Sequence, residues 1–320
     1  MKLKHTLLAC CIAATTLGAY VATAQAAAPM VKTQAPGYYR TFVGNFEVTA
    51  LSDGTVGLPV DKLLKGISHR NLEKALDYHH LPLPAETSVN GFLVNTGDKL
   101  VLIDTGAGTL FGPTLGKLVQ NLKAAGYQPE QVDEVLITHM HPDHIGGLSV
   151  NGQRVFPNAL LRAEQEDADH WLSADNLAQA PEDAKGFFQG AQAMFKPYID
   201  AGMFKPFKGN AELVPGLRAL VTHAHTPGHS TIAVESKGRR LLIIGDLIHV
   251  GAVQLDHPKV SIAFDSDNKN AVKQRIKVFN KLSKDGDLAA AAHLSFPGLG
   301  HIRKTAIGYE WLPINYQSAP

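Results

Sequence analysis

The chain has 320 residues, 45% hydrophobic and 18% charged, enough apolar material for a large core and too little charge for a disordered or fibrous polymer. Lys and Arg total 30 against 29 Asp and Glu, so a net charge of +1 provides no one-sided field to attract nucleic acid or an anionic membrane. Both cysteines, Cys10 and Cys11, fall in the first eleven residues, so the rest of the chain has neither a disulfide nor a thiolate, and any metal there must be held by nitrogen and oxygen.

At the amino terminus, Lys2 and Lys4 precede an apolar run from Leu7 to about Val21, then small residues ending in Ala24-Gln25-Ala26. That order reads as a secretory signal peptide over residues 1–26, cleaved to leave a single domain over 27–320 in the periplasm or medium. The run is short and contains Thr15, Thr16 and Gly18, and no later stretch is apolar enough to span a bilayer, so stable membrane insertion is not expected. Phe46 to Leu51 alternates as a strand and meets a turn signal at Ser52-Asp53-Gly54, followed by a polar helical stretch. Two apolar runs between Val89 and Asp104 flank Thr96-Gly97-Asp98, the pattern of a hairpin. Thr114 to Ala125 reads as a helix closed by Gly126, residues 164–202 as short helices, and Asn270 to Leu282 as a helix with Val272, Ile276, Phe279 and Leu282 on one face.

Four strand-like runs end in potential ligands: Val135–His139, Leu220–His225, Leu241–Asp246 and Leu288–His293. Strand ends are where α/β sheets assemble ligand sites, so a shared edge would bring these residues together. Of the 15 histidines, 11 lie between His139 and His301. In His139-Met140-His141-Pro142-Asp143-His144 the first two imidazoles are two residues apart and face the same side of an extended backbone. Pro142 then turns the chain so that Asp143 and His144 address a second position. Seven residues suffice for two adjacent sites: His139, His141, His225 and Asp246 around one ion, and Asp143, His144, Asp246 and His293 around the other. Asp246 takes the bridging role because a carboxylate has two oxygens. Spacing alone does not separate His225 from His229 as the ligand. His170, His223, His257 and His301 read as solvated or hydrogen-bonded imidazoles.

With these motifs in place, the sequence resembles the metallo-β-lactamase fold hydrolases: His139-x-His-x-Asp-His144, His225-Thr-Pro-Gly-His229, Gly245-Asp246 and a late His. The resemblance spans nearly the whole mature chain and implies a four-layer αββα sandwich. It assigns the ligand role to His225, leaves His229 as support, and makes Asp104 a structural aspartate. Within that family, Ala35-Pro-Gly-Tyr-Tyr-Arg40, Leu51-Ser-Asp-Gly-Thr-Val56, Phe111-Gly-Pro-Thr-Leu-Gly116 and His293-Leu-Ser-Phe-Pro-Gly298 resemble the methyl parathion hydrolases and their dihydrocoumarin-hydrolysing relatives. Compared with the organophosphate specialists, Leu64 stands in place of Arg, His249 of Leu, Ile262 of Thr and Phe264 of Leu, and one residue is missing before Lys185-Gly186. These departures are similar to the lactonases. The resemblance also implies a homodimer and makes Leu64, Phe111, Trp171, Phe187, His249, Ile262 and Phe264 the substrate-binding residues of the pocket.

Two divalent ions sharing a water bring its pKa toward about 7, so a nucleophile forms without a protein base. Zinc is expected, and the same donors suit Mn, Co or Fe. An aryl leaving group, with a pKa near about 10, needs little protonation, and His249, three residues after Asp246, is placed to orient substrate or leaving group. The sequence thus points to a hydrolase of small aromatic lactones and aryl esters with secondary organophosphate triesterase activity. The alternatives are a dedicated organophosphate hydrolase and a non-catalytic zinc-binding protein. A β-lactamase is disfavoured by Asp246, a nuclease by the lack of a basic strip, a flavo-diiron enzyme by the lack of a flavin domain, and a glyoxalase II by the lack of a basic C-terminal segment.

Overall fold

The protein is described by a computed structural model covering residues 28–318. The proposed signal peptide and both cysteines lie outside the described residues. The chain divides into two units, Met1–Ala35 and Pro36–Pro320. The described part of the first, residues 28–35, carries no helix or strand. Among the described residues no helix is long and apolar enough to cross a membrane.

Two sheets form the centre of the second unit. A six-stranded sheet runs in the order Tyr38–Val43, Phe46–Leu58, Ala85–Asn95, Leu100–Ile103, Glu134–Leu136 and Leu160–Arg162. A seven-stranded sheet runs Ala211–Val214, Leu217–Val221, Ser230–Ser236, Arg239–Ile243, Leu288–Ala290, Leu299–Lys304 and Tyr309–Pro313. The two-residue period of each strand sorts side chains to opposite faces. Val101 and Ile103 meet Ile232, Val234, Leu241 and Ile243 in a cluster between the sheets. Leu102 points the other way, into a cluster with Leu118 and Leu122 of the helix Leu118–Ala124 and with Phe188, Phe195 and Tyr198 of the helix Lys185–Asp200. On the far side Leu242 packs with Phe279 and Leu282 of the helix Asn268–Asp285. Helix, sheet, sheet and helix thus form the four αββα layers the sequence implied. Strands buried on both faces explain why their sequences read as unbroken apolar runs.

Three local expectations change. Ser52-Asp53-Gly54 is not a turn: the strand continues to Leu58, with a register shift against Ala85–Asn95 between Ser52 and Gly54. The extra residue of this bulge aims the buried Asp53 carboxylate at the N–H groups of Ala107, Gly116 and Leu118, at 2.9 Å each. Those bonds hold residues 107–117 as a loop, so the helix expected from Thr114 begins only at Leu118. The region 164–202 contains the short helices Gln165–Trp171 and Ala174–Gln179 but also the 16-residue helix Lys185–Asp200, which admits Pro197 only in its last turn.

The expected shared edge is also revised. Glu134–Leu136 lies in the first sheet, whereas the other three ligand-bearing strands lie in the second. Leu217–Val221 and Arg239–Ile243 are both antiparallel to Ser230–Ser236, and Arg239–Ile243 is parallel to Leu288–Ala290, so all three chains leave at one end. In the first sheet Leu100–Ile103 and Glu134–Leu136 are parallel and deliver Asp104 and His139 together. The site therefore forms across facing ends of two sheets.

Candidate metal centre

His141 precedes the four-residue helix Pro142–Ile145, with Pro142 as its first residue, a position where the missing N–H costs nothing. The helix turns Asp143 and His144 away from the extended segment that carries His139 and His141. It is pressed tightly against the preceding loop: a Cβ on Gly146 would lie 1.9 Å from the Ala107 carbonyl oxygen, so only glycine fits there. Asp246 sits in a tight turn, Gly245–Leu247, at the end of its strand.

The potential ligand atoms of His139, His141, His225 and Asp246 all lie within 4.8 Å of one another, as do those of Asp143, His144 and His293. Asp246 stands between the two groups. Its Oδ2 is 3.5 Å from His139 Nε2 and 3.4 Å from His225 Nε2, its Oδ1 is 3.2 Å from His144 Nε2, and His293 Nε2 lies 3.1 Å from Oδ2. All seven residues of the sequence expectation converge.

The opposite edge of each imidazole is fixed, which decides the nitrogen left free to bind. His144 Nδ1 donates to Asp104 Oδ2 (2.9 Å), which also accepts from the Thr138 hydroxyl (2.8 Å). That hydroxyl oxygen in turn accepts from His139 Nδ1 at 3.1 Å. His225 Nδ1 donates to Asp265 Oδ1 (2.8 Å), and His293 Nδ1 to the Ser88 carbonyl (3.0 Å). His225 Nε2 then faces His141 Nδ1 at 2.9 Å. The ambiguity between His225 and His229 is resolved by geometry: His229 Nε2 accepts the backbone N–H of Asp246 (3.0 Å) while its Nδ1 donates to Thr222 Oγ1 (2.7 Å). Burial holds this imidazole neutral, at about 4. His301 is exposed and bonded to the Asp287 carbonyl, remote from the cluster.

These residues fit divalent cations. His139 Nε2, His144 Nε2 and Asp246 Oδ1 are buried and have no hydrogen-bond partner, an expensive state for polar atoms unless a cation occupies the space between them. Burial, together with repulsion between neighbouring imidazoles, holds His139, His141 and His225 well below the usual histidine range, so they are neutral donors. Burial acts the same way on His144 and His293, but Asp246 and Asp143 outweigh it and raise both, His144 strongly. Burial would raise Asp246, yet His144, His293 and His139 outweigh that and hold its carboxyl well below the carboxylate range. A buried carboxylate among five imidazoles, with nitrogen and oxygen donors only, suits zinc and its divalent neighbours.

Two carboxylates that the sequence did not single out support the site. Asp265 accepts from His225, and its Oδ2 accepts from the Ile262 N–H (3.0 Å). Asp167, fully buried, accepts from the N–H groups of Met140 (2.9 Å) and Gly228 (2.6 Å) and from the Thr226 hydroxyl (3.0 Å), tying the His139–His144 loop to the His225–His229 loop. Burial pushes its carboxyl up to about 6. Each is one acid among several in a polar stretch, with no spacing that marks it.

Beside the ligands, Phe111, Phe187, Phe264 and His249 border a small cavity, with Val56 and Leu58 completing its apolar wall. Leu64, Ile262 and Trp171, also expected there, are not on its surface. Leu64 and Ile262 pair with one another in a two-residue ladder packed behind Phe264. Trp171 is 6% exposed and stacks behind Phe187, with ring centres 6.2 Å apart.

Residues 85–293 match the family model described as "Metallo-beta-lactamase superfamily". A solved structure described as hydrolase AbOPH in the beta lactamase superfamily is 38% identical, with a TM-score of 0.85 over 89% of this chain and 100% of that one. This chain belongs to the metallo-beta-lactamase superfamily. AidC, described as a dizinc quorum-quenching lactonase in complex with a homoserine product, is 27% identical, with a TM-score of 0.81 over 88% of this chain and 99% of that one. Among curated proteins, an N-acyl homoserine lactonase of Bacillus sp is 30% identical over 46% of this chain, and one of Bacillus cereus 26% over 48%. The matches span 58% and 60% of those lactonases. Proteins described as lactonases are thus among the homologues of this superfamily member.

Proposed function

We propose that this superfamily member holds two zinc ions and hydrolyses lactones and aryl esters, with dihydrocoumarin-like substrates favoured over organophosphate triesters such as methyl parathion. The observation that carries the reading is the pairing of two donor sets sharing Asp246 with a cavity whose wall, ligands aside, is apolar except for Thr87 and His249. Such a wall accepts an uncharged, ring-bearing substrate and offers no cation for an anionic one. The homology to lactonases supports the same bond type.

Two divalent ions bound there would acidify water and polarise the substrate carbonyl. His139, His141 and His225 would hold one and Asp143, His144 and His293 the other, with Asp246 common to both. Phe111, Phe187 and Phe264 exclude bulk water and position the ring. The unpartnered ring nitrogens of His249 are available to orient the substrate carbonyl or the departing oxygen. A phenolate leaves without an acid, so His249 acts on aryl substrates by orientation. Export past the inner membrane, read from residues 1–26, and assembly as a homodimer are parts of this proposal.

The deciding experiment compares kcat/KM for dihydrocoumarin, phenyl acetate, N-hexanoyl homoserine lactone and methyl parathion, with and without chelator. A lactone is expected to rank first, with activity lost on chelation and restored by zinc. A phosphotriester ranking first would make this a dedicated organophosphate hydrolase. Stoichiometric zinc without turnover of any substrate would make it a zinc-binding protein.

A further inference from the structure

The space beside the ligands is only about 20 Å³, room for about one water molecule and far too small for a lactone ring. A second chamber of about 810 Å³, a volume that suits a whole small-molecule ligand, adjoins it. Thr87, His249 and His293 border both spaces. Two of the three are fixed. Thr87 lies within the strand Ala85–Asn95 with its hydroxyl bonded to the Ala85 carbonyl, and His293 is held between Ser88 and Asp246. His249 is different. Its ring is buried, yet neither nitrogen has a hydrogen-bond partner; Nε2 lies 3.1 Å from Asp246 Oδ2 but out of line for a bond.

The backbone beneath that ring is rigid. Gln254 Oε1 accepts the N–H groups of His249 (2.8 Å) and Val250 (3.0 Å), and the buried Arg275 guanidinium donates to the carbonyls of Leu247, Pro258 and Val260. A side chain without polar tethers on a pinned backbone moves by rotation about its own bonds alone. What holds the ring in place is packing, with ring centres 4.8 Å from His225, 5.1 Å from His293 and 6.3 Å from Phe264.

The chamber has the chemistry of an apolar-arm site. Leu81, Leu255 and Trp311 line it, and Tyr78 and Ile307, 80% and 73% exposed, stand at its mouth. Among the described residues no Lys or Arg borders it, whereas Glu86, Asp256 and Glu310 do, so a carboxylate-tailed chain is disfavoured and an uncharged one fits. We propose that His249 is a movable partition and that the chamber behind it receives the uncharged alkyl or acyl arm of the substrate while the ester bond lies at the metal centre. This rests on the ester- and lactone-hydrolase reading above, and it assigns the substrate class as lactones bearing a long neutral chain.

Ala306, exposed on the chamber wall and remote from the ligands, is the site for the test. With Ala306→Phe, kcat/KM for N-decanoyl homoserine lactone should fall at least tenfold while that for the N-butanoyl compound stays within twofold. His249→Ala also removes the orienting imidazole and should slow both substrates, so the partition is read from chain length: the ratio of decanoyl to butanoyl KM should fall at least threefold, and equal shifts in both would overturn the partition. A binding measurement separates the chamber from the chemistry. In zinc-loaded protein carrying Trp171→Phe, Trp311 is the remaining tryptophan, and its fluorescence should change saturably with the inert neutral amide N-decanoyl cyclopentylamine, an effect Ala306→Phe abolishes. That titration supports or refutes the chamber even if no lactone is turned over. Lactone turnover with no saturable signal overturns the chamber and leaves the proposed function standing. A change of oligomeric mass in Ala306→Phe without a chain-length effect would also overturn it, making the chamber a subunit contact.

Discussion

Asp246 is the residue on which both donor sets depend, because it alone approaches His139, His144, His225 and His293. Asp246→Ala should reduce bound zinc below two equivalents and remove nearly all activity, at least about a thousandfold, since the two metals act as a unit. Metal analysis and initial rates check this, and wild-type rates would remove the bridging assignment. The imidazoles differ in a way that sets a pH dependence. His144 and His293 are held above the ordinary histidine value by Asp246 and Asp143, so near neutral pH the metal-free protein keeps protons there that an incoming cation must displace. His139, His141 and His225 are already neutral. Affinity at the Asp143–His144–His293 set should therefore weaken as pH falls, about tenfold per unit for each proton displaced, while the other set changes little over the same range. Zinc titration of metal-free protein in a weakly buffered indicator solution should show proton release confined to one of two binding phases. The seven converging residues were legible because their spacing and strand-end positions are written in the chain. The atoms that bind were not: which nitrogen of each ring is free follows from Asp104, Asp265, Ser88 and Thr138, partners brought in from elsewhere by the fold.

At the scale of elements, the two ligand-bearing loops are joined by a single carboxylate from a third segment. Asp167, in the helix Gln165–Trp171, bonds Met140, Thr226 and Gly228, and every one of those bonds is buried. Asp167→Ala leaves three buried donors unpaired and should cost on the order of 3 kcal/mol, read as a lower urea midpoint at unchanged slope. It should also loosen zinc binding, because the loops holding His139, His141 and His225 lose their common tie. The sequence showed the strands and the long helix Asn268–Asp285 by period, but it misread Ser52-Asp53-Gly54, whose turn-like composition serves a bulge that feeds Asp53 into a distant loop. A local signal cannot report a partner more than fifty residues away. Leu64, Ile262 and Trp171 lie one layer behind the cavity wall, a depth that position along the chain does not report.

For the whole molecule, the binding energy of the ions is added to that of the fold, because the assembled site exists only when both sheets are in place. With free zinc at about a thousand times its dissociation constant, each bound ion adds about 4 kcal/mol, so two add about 8 kcal/mol. At an unfolding entropy of about 0.7 kcal/mol/K for a chain of this size, chelation should accordingly lower the melting temperature by roughly 12 °C, and zinc should restore it. A calorimetric scan showing the same midpoint with and without chelator would mean the ions contribute nothing to folding. The four layers were legible as a family resemblance, whereas the division of the ligands between sheets was not, because nothing in the order of strands along the chain says which sheet each will join. His139, His141, Asp143 and His144 follow a strand of one sheet, and His225, Asp246 and His293 follow strands of the other. A cation gripped from both sides is therefore a rivet through the sandwich. Drawn apart mechanically, the halves should part at a higher rupture force when the rivet is in, and a single pull should release both the metal and the fold.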